Sequence, residues 1–394
     1  MNKTAFSKAD ILLPKNIDEK WPVIACDQYT SEPEYWEDVR RITENSPTTF
    51  DFILPECYLS DDNSERIERI NASMQESLND NTFKELKNSA VYVERTQSDG
   101  KIRKGIIGKI NLDDYDYLPG SDAEIRATEK TVVSRIPPRV EIRKNAPLEF
   151  PHIMLLIDDP ENTVFDDLIN NKGNLESLYS IDLMKNGGHI DGYLIDDVIF
   201  EKIENALSAL KEKNNGFLFC VGDGNHSLAT AKECHKQNPN EKNKYALVEV
   251  VNIHDTALEF EPIYRIVFDT DPEKCINDFI RCCGGEYNGA DAQKFTVVTK
   301  TYQKQISVKP LSKLPVGTLQ TFLDGYTDNI DYIHGVESLK KLAQKDNAVG
   351  FLFEGMKKEE LFEAVNIDGS LPRKTFSMGH ADDKRFYLEG RKII

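Results

Sequence analysis

The residues best suited to chemistry in this sequence sit in one run, Val221-Gly-Asp-Gly-Asn-His-Ser-Leu-Ala-Thr-Ala-Lys232. The apolar stretch Phe217–Val221 reads as a buried strand and ends at Gly222 and Gly224, which bracket Asp223. Asn225, His226 and Ser227 follow, and then an alanine-rich helix begins. Such a junction aims backbone N–H groups and the positive end of a helix dipole into one small space, which suits a phosphate. Gly222 and Gly224 let a ligand approach with no Cβ in its way. Asp223 can hold Mg²⁺ or orient the ligand, and His226 can donate to a phosphate or act as acid or base near neutral pH. A plainer assignment competes with this one: Asn225 or Ser227 caps the helix, and the glycines serve an ordinary strand-to-helix turn.

Other patterns are weaker. Gly222 to Ser227 nearly spells the dinucleotide fingerprint G-x-G-x-x-G, with Glu249 at about the right distance for a ribose, but Ser227 replaces the third glycine. No G-x-x-x-x-G-K-[ST] loop, H-E-x-x-H pair or G-x-S-x-G elbow occurs. Arg126-Ala-Thr-Glu-Lys-Thr131 interleaves a cation, an acid and hydroxyls, so Arg126 could meet a phosphate and Glu129 could serve as base or metal ligand; exposed surface pairing explains it equally. Asp27 follows the apolar Val23–Cys26 and reads either as a strand-end site residue or as a turn residue. His189 and His254 read as local hydrogen-bonders, and Cys220 as a buried thiol.

Hydrophobic residues make up 39% and charged residues 29% of 394, the balance of a folded soluble protein, so disordered and fibrous classes are excluded. Net charge is −18, which opposes docking on nucleic acid or anionic membranes. No apolar run is long enough for a membrane span, and the N-terminus lacks the core of a signal peptide, so a cytoplasmic protein without membrane attachment is expected. The seven cysteines are odd in number and lack C-x-x-C spacing, which argues for free thiols rather than disulfides or zinc.

The elements that must position the loop read as mixed α and β. Ile67, Ile70, Met74 and Leu78 form a helical stripe, and Val91–Arg95 with Ile102–Ile110 form a hairpin around Ser98-Asp99-Gly100. Periodicity fades from Asp113 to Pro147, which reads as a long polar segment. Strands are expected at His152–Ile157, Phe217–Val221 and Tyr245–Asn252, with helices at Phe200–Lys213 and Leu228–Gln237. From Thr270 onward helices near Pro272–Cys282 and Val316–Leu323 alternate with strands at Phe295–Val298, Gln305–Val308 and Ala348–Phe353. The expected class is α/β in the broad sense, mixed α+β with mixed sheets and helices. The expected division is an N-terminal region 1–147, a central region 148–269 carrying the glycine loop, and a C-terminal region 270–394.

The glycine run resembles the signature of the DUF1015 family, in which a strand leads through an Asp-Gly-His-His-Arg-like loop into a helix. Pro22–Tyr29, Ile125–Thr131, Pro262–Arg265 and Leu371–Phe376 look like further blocks of that family, so the resemblance runs nearly end to end. The loop is also distantly similar to the nucleotide-phosphate loop of the ParB, sulfiredoxin and free-serine-kinase superfamily, which implies a ParB/sulfiredoxin-like core and a nucleoside tri- or diphosphate with Mg²⁺. This sequence departs from the pattern: Asn225 replaces the first His, and Ser227 replaces the Arg that would grip a phosphate in two-pronged fashion. A substitute cation is expected from Arg126, Lys130, Arg265 or Lys374. The resemblance implies a nucleotide-dependent phosphotransferase or nucleotide hydrolase acting on a small polar metabolite. In it His226, Asp223 and Glu129 are catalytic, Asp223 is the metal ligand, and Gly222, Gly224, Asn225, Ser227, Arg126 and Arg265 bind the nucleotide. Two other readings remain: a non-catalytic nucleotide or phosphometabolite sensor, and a dinucleotide oxidoreductase using Glu249.

Overall fold

Val91–Thr96 and Ile102–Asn111 pair as an antiparallel hairpin, with Gly100 at φ +83° in the turn between them. Alternate apolar residues of these strands bury to opposite sides, which is what places the hairpin inside a sheet covered on both faces. In this computed structural model, which describes residues 3–59 and 62–394, the sheet has ten strands. Nine run in the order Glu176–Leu183, Gly188–Leu194, Val91–Thr96, Ile102–Asn111, Tyr245–Asn252, Met154–Ile157, Phe219–Asp223, Ile125–Ala127 and Tyr115–Asp116; Phe6–Ser7 pairs with Ile102–Asn111. Met154–Ile157 is buried at every position, as an unbroken apolar run should be in a central strand. It pairs parallel with Tyr245–Asn252 and antiparallel with Phe219–Asp223.

One face of this sheet is covered by the helix Asp197–Lys213, whose Ile199, Ile203, Leu207 and Leu210 are buried. Its start is fixed by Asp196, which accepts a hydrogen bond from Ile199 N at 2.8 Å. Along part of the other face, Met154, Leu156, Cys220 and Val251 share a core with Phe279, Phe295 and Phe351. Those phenylalanines belong to a second, six-stranded sheet and its helices. Its order is Gln303–Val308, Gln293–Val298, Val349–Phe353, Phe260–Val267 and Ile330–His334, with Phe376–Met378 joined to the start of Phe260–Val267. The class is therefore mixed α+β, as expected. The large sheet draws strands from both sides of residue 147. The chain end returns to earlier strands: Phe386–Tyr387 pairs with Val23–Ile24, and Arg391–Lys392 pairs with Leu148–Glu149.

The long polar segment expected over 113–147 is instead structured. It contributes Tyr115–Asp116 and Ile125–Ala127 to the sheet edge and then forms the helix Ile136–Arg143. Pro137 and Pro138 hid that helix, yet proline is tolerated in a first turn, where its missing N–H would have no partner anyway. No helix among the described residues is long and apolar enough to cross a membrane. All seven cysteines are free thiols.

Candidate functional site

The strands Phe219–Asp223 and Ile125–Ala127 run parallel and end side by side. Thr128 and Glu129 therefore emerge next to Gly222 and Asp223. At Gly222 a Cβ would lie 2.8 Å from Leu156 Cγ and 3.1 Å from Met378 Cε, so the chain passes where no side chain fits. Gly224 takes φ +77° and occupies the N-cap position of the helix Asn225–Gln237. The helix thus starts three residues earlier than its apolar pattern implied, because a left-handed glycine ends the strand and lets the polar Asn-His-Ser form the first turn.

No side chain caps that turn. Asn225 Nδ2 turns away to donate to Thr128 Oγ1 at 3.2 Å, and Ser227 Oγ pairs with His152 Nε2 at 3.2 Å. Neither serves as the cap that the plainer assignment required. The leading amides of the helix remain available to an anion.

This junction forms one wall of a cleft of about 700 Å³ between the two sheets. Lys374 and Lys384 enter it from the segment after Leu371, and Glu261 and His334 face it from the second sheet. Asp223 Oδ2 lies 3.3 Å from Lys384 Nζ, and Asp223 Oδ1 accepts from Gly224 N at 2.9 Å. Burial works against its ionisation, but the Lys384 ammonium and then His152 hold the carboxyl below the usual range. Glu129 behaves oppositely. Burial, with the Asp223 charge adding to it, pushes its carboxyl up to about 7, although its Oε1 accepts from Lys374 N at 2.9 Å and Arg265 lies near. The Asn225 Oδ1 is buried without a hydrogen-bond partner. Two carboxylates tuned apart, two lysines and an uncapped helix start thus share one space.

The other sequence-derived candidates lie elsewhere. Arg265 is fully buried and its guanidinium is consumed by Gln320 Oε1 at 2.9 Å and by the carbonyls of Ile263, Lys374 and Arg373. It braces the segment that carries Lys374. Arg126 donates to Ala123 O and Asn366 Oδ1, both at 3.0 Å, and stacks on Phe217, so it does not line the cleft. Lys130 lines a different cavity, on the far side of the contact between Glu129 and Leu371. His226 points to the start of the helix Ile136–Arg143. Burial, then Arg139 and Arg135, lower its pKa to about 4, and its Nε2 is buried without a partner. Asp27 Oδ2 stands 3.9 Å from His152 Nε2. Glu249 is enclosed by Arg103 and Arg385 and does not face the cleft. His189 bonds Ser180 and Asp182, His254 bonds Asp158, and Cys220 is fully buried with its thiol pKa raised by desolvation.

Sequence reasoning missed Lys384, His152, Glu261 and His334. Lys374 was available as a candidate because it falls in the Leu371–Phe376 block; Lys384 has no motif around it, and only the return of the chain end brings it to Asp223. Among the described residues no group of three or more His, Cys, Asp or Glu side chains gathers to hold a metal ion. Asp223 and Glu129 are the two cleft carboxylates next to the glycine loop, a set that fits Mg²⁺ only if a ligand's phosphates complete the shell.

No curated protein matches the chain. Among solved structures, a free serine kinase in complex with AMP is similar at a TM-score of 0.40 and 12% identity, covering 72% of this chain and 91% of that one. A conserved hypothetical protein from Pyrococcus furiosus gives 0.37 and 13%, covering 72% and 94%. SbnI from Staphylococcus aureus, truncated at its C-terminus, gives 0.39 and 10%, covering 71% and 85%. A family model described as a protein of unknown function matches residues 10–389, and by that match the chain belongs to the DUF1015 family.

Proposed function

We propose that the protein is a nucleotide-dependent phosphotransferase acting on a small polar metabolite, with the phosphates held at the Gly222–Ser227 junction. The observation that carries this reading is the uncapped first turn of Asn225–Gln237 beside a cleft that also holds Lys374, Lys384 and an acid with a pKa near 7. Phosphoryl transfer asks the protein mainly for position and charge neutralisation, which amides and lysines provide. The cleft volume falls in the range of small-ligand sites.

The roles follow from the chemistry of each group. Amides at the start of the helix and the Lys374 and Lys384 ammoniums take the phosphate charge. Asp223, kept ionised, would hold a Mg²⁺ that arrives on the phosphates. That ion supplies neutralisation of charge on the phosphate oxygens. Glu129 is the group suited to accept the proton of an acceptor hydroxyl, since a base works best with a pKa close to the operating pH. The hydroxyl oxygen then bonds to the terminal phosphorus as the bond to the departing nucleotide oxygen breaks.

The test is nucleotide consumption in the presence of a metabolite mixture, followed by phosphorus NMR. Wild type should convert ATP to ADP and a new phosphoester, with a rate that rises through about pH 7. Glu129→Gln should lose that limb and about 10²–10⁴ in rate. Unchanged rate and pH profile in the variant would remove Glu129 from the mechanism, and no consumption by wild type would remove the transferase reading.

A further inference from the structure

The first turn of Asn225–Gln237 borders two cavities. Asn225 lines the polar cleft, while Ser227, at the third helical position, lines a smaller apolar cavity of about 150 Å³. Leu54, Met74, Leu148, Phe150 and Ile153 form its buried walls, with the partly buried Ile53 and Ile142 beside them. A cavity of this size is large enough for about one aromatic ring system.

Nearly every polar group around it is already committed. Arg139 pairs with Glu56 and Arg143 with Glu149. Thr230 Oγ1 donates to His226 O at 2.7 Å. Tyr387 Oη accepts from Cys26 N at 2.9 Å and contacts His152 Nδ1 at 2.8 Å. The His152 ring thus bridges Tyr387 Oη at Nδ1 and Ser227 Oγ at Nε2, 3.2 Å away. The cavity therefore offers apolar surface and one polar edge, the Ser227 and His152 pair, at the rim nearest the anion-binding turn.

From this juxtaposition we infer that the apolar cavity behind Ser227 and His152 is the nucleobase subsite of the same ligand whose phosphates meet the helix start. The inference rests on the proposed nucleotide reading and adds where the base lies and how it is read. A ligand joining a flat, weakly polar ring to a polyanion matches an apolar pocket that shares its rim with an uncapped helix. Because the pocket's side chains are paired among themselves, recognition is by burial and shape, so purines should be preferred to pyrimidines with little distinction between adenine and guanine.

The test is calorimetric titration of the full chain with Mg²⁺ and, separately, ATP, GTP, CTP and inorganic tripolyphosphate. Two variants fill the cavity, Ile142→Phe at its partly buried side and Ala146→Leu at its buried side. ATP and GTP should bind about tenfold or more tightly than tripolyphosphate. Either variant should erase that advantage while tripolyphosphate affinity stays at the wild-type value, which also shows that the variant is folded. ATP no tighter than tripolyphosphate, or an advantage that survives both filled variants, overturns the base subsite and leaves the phosphate reading standing. Binding of neither ATP nor tripolyphosphate to wild type overturns both.

Discussion

Two ionic clusters meet the returning end of this chain, and they are built to opposite rules. Around Glu249 the charges close on one another except at Arg103 Nε and Glu249 Oε1, which make no hydrogen bond. Arg385 reaches Glu249 Oε2 and Glu389 Oε2, each at 2.6 Å, and Pro151 O at 2.9 Å, while Arg103 stands 3.6 Å from Glu249 Oε1 and Tyr179 bonds Glu389. Although burial resists it, Arg103 and Arg385 hold the Glu249 carboxyl below its usual range. Around Asp223 the charges are left open. Glu129 is pushed up to about 7, Asn225 Oδ1 has no partner, and the helix start has no cap. Unpartnered buried atoms occur in both clusters, so what sets the Asp223 cluster apart is its uncapped helix start, its cleft and the raised Glu129, the features of a site suited to a ligand.

Breaking the closed cluster should give the largest effect. Arg385→Ala strands two carboxylates in the interior and should cost about 3–5 kcal/mol of stability by urea unfolding. If the variant unfolds like wild type, the cluster does not hold the chain end.

A pair of isosteric changes sharpens the contrast, because the two acids have opposite linkage to pH. Between about pH 4.5 and 7 the unfolded chain ionises Glu129's carboxyl while the folded chain keeps it protonated, so stability falls as pH rises through that window. Glu129→Gln removes the cost and should be more stable than wild type at pH 8, on the order of 2 kcal/mol, with the gain vanishing near pH 4.5. Glu249 contributes stability above its unfolded pKa that is lost on acidification. Glu249→Gln should therefore be less stable than wild type at pH 8 and approach it in acid. Parallel pH dependences for the two variants would erase the distinction.

The same contrast shows how much of the molecule could be read from residues alone. Tyr245–Asn252 and Pro272–Cys282 announce themselves by apolar period and flanking turns, and both form where that pattern places them. The glycine loop is equally legible, since Gly222 and Gly224 meet local demands of close approach and positive φ. What stays hidden is any role set by tertiary return. Arg265 sits in a family-like block and is a plausible phosphate clamp by type, yet folding encloses it under Lys374. Lys384 has no local signature, and 160 residues of chain separate it from Asp223 in the sequence. Its placement depends on the pairing of Phe386–Tyr387 with Val23–Ile24, which no local periodicity encodes.

The central claim is that the Asp223 junction binds a nucleoside phosphate, and thermal unfolding of wild type and Asp223→Ala with ATP, ADP, CTP, GTP and NAD, each with and without Mg²⁺, tests it most directly. At about 100 times its dissociation constant a ligand adds about 2.7 kcal/mol to the folded state. The account predicts that a nucleoside phosphate raises the wild-type midpoint only with Mg²⁺ and that Asp223→Ala loses the shift. A wild type that no nucleotide shifts, or a variant that shifts as far as wild type, would contradict it.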